Sequence, residues 1–172
     1  MKDRGSVLLL VRELENDFGY IRDSLALHER ALLRVAASGW TDELDLMVIG
    51  SCLHGIYNAF EGYFFRIAKF FENNVDRSAW HRDLLDRMSL DIPGIRPALL
   101  TDASLVERID ELRRFRHLFR NLYKTRLHAA KLRIVSDAAL GLAAEFLPPH
   151  EAFASWLLAL AEALDEPSGA RS

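Results

Sequence analysis

Residues 41–72 read TDELDLMVIGSCLHGIYNAFEGYFFRIAKFFE. Within them Leu46, Ile49, Leu53, Ile56, Phe60, Phe64, Ile67 and Phe71 recur three or four positions apart, which is the period of a helix. Tyr57, Tyr63, Phe65 and Phe70 lie beside that row, so the helix is apolar over much of its surface. A helix of this kind is buried on more than one side. It forms either the centre of a bundle or part of a seam between two copies. Thr41-Asp42-Glu43 provides the start, with a capping hydroxyl followed by acids in the first turn.

Upstream, Leu10, Leu14, Phe18, Ile21, Leu25, Leu32 and Val35 mark one long amphipathic helix over about residues 6–37, ending near Gly39. Gly19 inside it costs about 1 kcal/mol against alanine without breaking it. Downstream, Asn73-Asn74 signals a turn, and Ser78 is placed to cap a short helix over about 79–88 that buries Trp80, Leu84 and Met88. Pro93, Gly94 and Pro97 make an irregular connection. Ser104-Leu-Val-Glu107 has the pattern of a capping box and opens a helix over about 105–126. A further helical region covers about 129–146, Pro148-Pro149 breaks it, and a last helix over about 150–164 packs Phe153, Trp156, Leu157, Leu160 and Leu164. No period of two stands out. The expected fold is all-α, an antiparallel bundle of four to five main helices. It forms one domain over 1–164, with a frayed tail over 165–172.

The chain has 172 residues, 50% of them hydrophobic, and a formal net charge of −3. Such a composition excludes wholesale disorder and a globally basic nucleic-acid binder, though not a local basic patch. The single cysteine, Cys52, cannot form an internal disulfide and reads as a small core residue. Val7 to Val11 is too short for a signal-peptide core, and no stretch has the run of about 18 apolar residues that spans a bilayer. These features point to a cytoplasmic protein without a membrane segment. The six histidines, at 28, 54, 81, 117, 128 and 150, lack paired ligand spacing, so neither a metal nor a cofactor is expected. Phosphate-loop and serine-hydrolase motifs are absent.

The strongest local anomaly is Arg113-Arg-Phe-Arg-His-Leu-Phe-Arg-Asn-Leu-Tyr-Lys-Thr-Arg126, six basic residues and no acidic one in an acidic chain. On a helical wheel Leu112, Phe115, Leu118, Phe119 and Leu122 fall on one side. Arg113, Arg116, His117, Arg120, Asn121 and Lys124 fall on the other, with Tyr123 at the border. Cations aligned in this way repel each other. A solvated basic face and a site for a polyanion or acidic partner both fit the charge pattern. Glu61, a carboxylate in an apolar helix, reads as an ion-pair partner for a basic residue rather than a catalytic group.

Arg116-His-Leu-Phe-Arg-Asn-Leu-Tyr123 resembles the signature of the HEPN superfamily in its HepT-like ribonuclease branch: arginine, four to six residues, histidine, and often a tyrosine two residues later. Leu53-His-Gly-Ile-Tyr-Asn-Ala-Phe-Glu61 with Ile67-Ala68 resembles the second helix of that family. Trp80-His81, Leu84-Leu85 and Arg96-Pro97 resemble its connecting region. The likeness spans about residues 1–147. It implies a homodimeric, metal-independent endoribonuclease toxin, paired with a cognate minimal nucleotidyltransferase antitoxin. In the implied reaction a ribose 2′-hydroxyl attacks the adjacent phosphate, histidine moves protons and arginine holds the developing charge.

The resemblance assigns Arg116, Asn121 and Tyr123 to catalysis, and Arg113, His117, Arg120 and Lys124 to RNA. Tyr123 also matches the tyrosine that partner nucleotidyltransferases adenylylate, a modification that would place phosphate charge beside the cationic face. The sequence departs from the pattern at Asn121, where the family has its histidine. Asparagine donates and accepts hydrogen bonds but does not titrate near neutral pH. Loss of a general acid–base group typically costs about 10²- to 10⁴-fold in rate. His117, adjacent on the polar face at a different spacing, is a candidate substitute for that histidine. The departure sets a second expectation beside the toxin: a catalytically inactive relative that binds RNA, a nucleotide or a partner protein through the same face.

Overall fold

The structure, a computed structural model, describes residues 2–72, 80–121 and 126–165, without the side chains of 80–83. The helices are α1 (Arg4–Ala37), α2 (Glu43–Phe71), α3 (Trp80–Met88), α4 (Ala103–Phe119), α5 (Ala129–Ala139) and α6 (Leu142–Ala163). Strands are absent among the described residues, and one isolated antiparallel bridge joins Ile92 and Arg96. The all-α bundle expected from the periodicity is therefore present.

Cross-helix pairs give the directions. Asp17 meets Arg66 at 2.6 Å and Arg34 meets Asp45 at 2.6 Å, so α1 and α2 run antiparallel. Arg4 pairs with Asp165, and the Phe18 ring stacks on His150 at 4.5 Å, which sets α6 antiparallel to α1. Arg116 meets Asn58 while Phe119 meets His54, so α4 descends along α2. The aromatic row of α2 lies at the centre of the bundle. Phe60, Tyr63 and Phe64 close around Phe146 of α6, with Phe60 and Tyr63 edge-on at 5.1 and 5.2 Å. The bundle centre, one of the two readings of this helix, is thus where its aromatic row lies. Cys52 is buried, as expected.

Helix starts differ from the sequence reading in their capping residue. The α2 cap is Asp42, whose carboxylate accepts from the Asp45 N–H at 3.0 Å, while the Thr41 hydroxyl donates to the Ser38 carbonyl. The α4 cap is Asp102, which accepts from the Ser104 and Leu105 N–H groups, in place of the expected Ser104 box. Asp3 and Ser6 form a reciprocal capping box at the start of α1. In the first two cases an aspartate, one residue after Thr41 and two residues before Ser104, supplies the carboxylate, and aspartate is as good a cap as serine or threonine. The Ser78 cap and the Asn73-Asn74 turn lie outside the described residues.

The expected break at Pro148-Pro149 is not there. The chain breaks instead at Leu140-Gly141, and α6 runs unbroken through both prolines. Gly141 takes φ 76°, which glycine adopts without steric penalty. Arg108 closes the end of α5 by donating to the carbonyls of Ala138 and Leu140, and it pairs with Glu145. The prolines remove the N–H groups that would bond the carbonyls of Ala144 and Glu145. Both of those residues are exposed, so water can satisfy the carbonyls, while Phe146 and His150 on the opposite side hold the helix in the core.

Candidate functional site

Arg116 sits one turn before the end of α4, on a helix anchored by the fully buried Leu112 and Phe115. Its guanidinium turns toward α2 and not outward with the rest of the cationic residues. Nε donates to Asn58 Oδ1 at 2.7 Å, and the other end of the group lies 2.9 Å from Glu61 Oε2. The Tyr57 ring lies under it, 5.7 Å from the guanidinium carbon. The side chain keeps 14% of its exposure. Wheel geometry accounts for the difference, since Arg116 is only about 40° from Leu112. That places it at the edge of the apolar stripe, within reach of polar groups on the neighbouring helix.

The remaining basic residues are less uniform than their alignment implied. Arg113 pairs with Asp110 at 2.5 Å, and Arg114 pairs with the same carboxylate at 2.7 Å. Glu111 takes Lys131 at 2.5 Å. Acids one turn upstream thus offset part of the charge of the first two arginines of the cationic run. His117 and Arg120 are exposed and make no ion pair among the described residues. Leu118, assigned to the apolar face, is instead 46% exposed.

The helix stops at Phe119, short of the expected 126, and Arg120-Asn121 form a turn. The Asn121 amide donates back to the His117 carbonyl at 2.9 Å, the local bonding by which asparagine favours helix ends over helix interiors. Leu122, Tyr123 and Lys124 lie outside the described residues, and so does the site role expected of Tyr123 and Lys124. Of the expected residues, the structure places Arg116 and His117 in the last turn of α4, and Arg120 and Asn121 in the turn that follows it. Arg113 stands apart, held by Asp110.

Two site residues had no part in the motif. His54 and Asn58 lie one turn apart on α2, and the Asn58 side chain bridges His54 Nδ1, at 3.2 Å, to Arg116. The Phe119 ring packs 5.4 Å from the His54 ring. Burial lowers the basicity of His54, the charges of Arg116 and Arg120 lower it further, and Glu61 opposes them. Burial, then the charge of Glu61, pushes the Tyr57 phenol upward, and its hydroxyl has no partner among the described residues. The available signal was spacing: His54, Asn58 and Glu61 put polar groups at successive turns of an otherwise apolar helix.

Gly50 lets this end of the bundle close. A Cβ there would stand 2.6 Å from the Phe119 ring. The site therefore consists of a braced guanidinium, a half-buried imidazole and an exposed arginine, with the side-chain amide of Asn58 between the first two. It can bind an anion by charge and by directed N–H groups. The described residues contain no cluster suited to a metal ion, and no described helix is long and apolar enough to cross a membrane.

No curated protein and no solved structure matches the chain significantly. A family model described as HepT-like protein matches residues 48–157, well over half of the chain. The matched segment runs from α2 into α6 and contains His54, Asn58, Glu61, Arg116 and Asn121. The chain belongs to the HepT-like family of the HEPN superfamily.

Proposed function

We propose that this HepT-like protein acts on RNA at the Arg116 site, as the toxin of a toxin–antitoxin pair whose antitoxin is a minimal nucleotidyltransferase, in the cytoplasm. The observation that carries the reading is the bracing of Arg116 by Asn58 and Glu61 over the Tyr57 ring. A guanidinium oriented before its ligand arrives loses little freedom on binding, and its N–H fork matches a phosphate. In cleavage the ribose 2′-oxygen gives its proton to water and attacks the adjacent phosphorus, the bond to the 5′-oxygen of the next nucleotide breaks, and that oxygen takes a proton from water, leaving a 2′,3′-cyclic phosphate and a 5′-hydroxyl; Arg116 stabilises the charge that builds on the phosphate oxygens. Arg120, one turn on and exposed, draws the strand in. A second copy completes the cleft. Leu44 (74% exposed), Met47, Val48 and Leu118 are apolar side chains at this end of the bundle that such a copy would cover.

The Asn121 amide, turned back onto its own helix, favours a second reading in which the same cleft binds RNA without cutting it. The test is RNA cleavage by the wild type, Asn121→His and Arg116→Ala. The expected result is slow cleavage by the wild type, faster cleavage by Asn121→His by up to about 10²- to 10⁴-fold, and none by Arg116→Ala. If neither of the first two cuts and Asn121→His folds normally, the enzyme reading is wrong. Salt-dependent RNA binding weakened by Arg116→Ala with Arg120→Ala then identifies a binder. Sedimentation giving only monomer at micromolar concentration would exclude the composite cleft.

A further inference from the structure

His54 is outside the Arg116–Tyr123 signature, yet its protonation is dictated by Arg116. Arginine carries donors only, so the Asn58 oxygen has to face Arg116 Nε, 2.7 Å away. The Asn58 amide nitrogen then faces His54 Nδ1 at 3.2 Å and donates to it. Nδ1 is therefore the bare nitrogen of the ring, and the proton sits on Nε2. Protonating the ring would set one N–H against another. The charged groups around it, Arg116 on α4 and Arg120 just after it, disfavour a second proton as well, while Glu61 on α2 opposes them. Nε2 has no hydrogen-bond partner among the described residues, and the ring is half-buried.

We infer that His54 is a substrate-contacting residue of the RNA site, a neutral donor whose Nε2–H hydrogen-bonds a phosphate oxygen held at Arg116. The inference rests on the RNA reading of Arg116. It assigns His54 a restricted part. Its lone pair is engaged by Asn58, so it is not the base that takes the 2′-hydroxyl proton. Surrendering Nε2–H from a neutral ring would leave an imidazolate, so it is not the acid either. It fills the place of the missing motif histidine as a phosphate contact and leaves proton transfer unfilled.

The test uses a 2′-O-methyl RNA oligonucleotide, which cannot be cleaved through its 2′-oxygen, with His54→Gln, His54→Leu and Arg116→Ala, together with ¹⁵N spectra of the histidine ring in the wild-type protein. Glutamine keeps an amide donor near the position of Nε2 and should bind within a few-fold of the wild type. Leucine should bind about ten- to a hundred-fold more weakly, with melting unchanged. The spectra should show His54 as the neutral Nε2–H tautomer at pH 7, with the Nε2 signal moved by RNA. Wild-type affinity in His54→Leu, with affinity lost in Arg116→Ala, overturns the role of His54 and leaves the Arg116 reading standing. Wild-type affinity in Arg116→Ala overturns both. An Nδ1–H tautomer, a charged ring at pH 7, or an Nε2 signal that ignores RNA overturns the His54 role even where the leucine variant fails to fold.

Discussion

Arg116 and Glu61 face each other across α2 and α4 at 2.9 Å, with 14% and 17% of their side chains exposed. A carboxylate placed behind a guanidinium has two effects. It fixes the orientation of the group, and it cancels part of the positive field that an approaching strand would meet. Arg120 has no such partner among the described residues and is exposed, so its charge acts outward in full. The two arginines therefore divide the work expected of a phosphate site, with Arg120 attracting and Arg116 positioning.

Replacing Glu61 by glutamine keeps the size of the side chain and removes its charge. On the RNA reading, Glu61→Gln strengthens binding several-fold at low salt and steepens its salt dependence, because more of the Arg116 charge reaches the ligand. Stability falls by about 1–2 kcal/mol after allowance for the partial exposure of the pair. Fluorescence anisotropy across a salt series, combined with thermal melts, checks both. A lower melting temperature with unchanged RNA affinity would make Arg116 a clamp between helices and nothing more.

His28 supplies an acid-sensitive element far from this site. It is fully buried, with Nε2 3.1 Å from the Ser136 hydroxyl and Nδ1 without a partner among the described residues. Burial pushes its pKa down from 6.5 to about 4. A depressed histidine pKa means that the unfolded chain takes up the proton first. Stability is therefore complete above about pH 6.5 and declines toward pH 4, by about 3 kcal/mol in all. Urea unfolding at half-unit pH steps should show this decline in the wild type and a shallower one in His28→Leu. Parallel curves would assign the acid sensitivity to the carboxylates alone.

The parts legible in the sequence were those set by periodicity. The apolar rows of α1, α2 and α4 fixed the long helices, because a buried stripe is a local pattern that tertiary packing reinforces. The helix ends were less legible. Pro148 and Pro149 are tolerated because the carbonyls they free are on exposed residues, and that depends on which side of α6 meets the core. The cationic face was half legible, since Asp110 and Glu111, which pair with Arg113, Arg114 and Lys131, stand just ahead of the acid-free run. Arg116 was found by its motif. The contacts of His54 and Asn58 were not, because Asn58 meets Arg116 across 58 positions of chain, a pairing that only the fold creates.

The connection between α3 and α4 is held by one buried side chain. Arg96, with no exposed side-chain area, pairs with Glu72 at 2.9 Å and donates to the carbonyls of Arg87, Leu90 and Pro97. Burial would push the Glu72 carboxyl up, but hydrogen bonds from Arg96 and Arg87 outweigh it and hold the pKa below its ordinary value. Arg96→Ala leaves that carboxylate with one fewer partner and abandons three carbonyls, so a loss of about 3–5 kcal/mol is expected. Arg96→Lys recovers part of it, because a point charge cannot serve the same spread of acceptors. Denaturant midpoints of the two variants check the order, and equal midpoints would show that charge alone matters.

Gly50 tests whether the packing of α4 on α2 reaches the site. An added methyl would stand 2.6 Å from the Phe119 ring and 3.2 Å from a Leu127 methyl. Alanine gains about 1 kcal/mol over glycine in a helix interior. The crowding costs about 1–3 kcal/mol, so a net loss of about 1 kcal/mol is expected for Gly50→Ala. The ring that has to move is the one packed 5.4 Å from His54. The variant should therefore shift the His54 ring resonances and weaken RNA binding more than its small loss of stability would suggest. Unchanged His54 resonances would show that Phe119 yields without disturbing the imidazole, and that the Asn58 hydrogen bond alone sets its position.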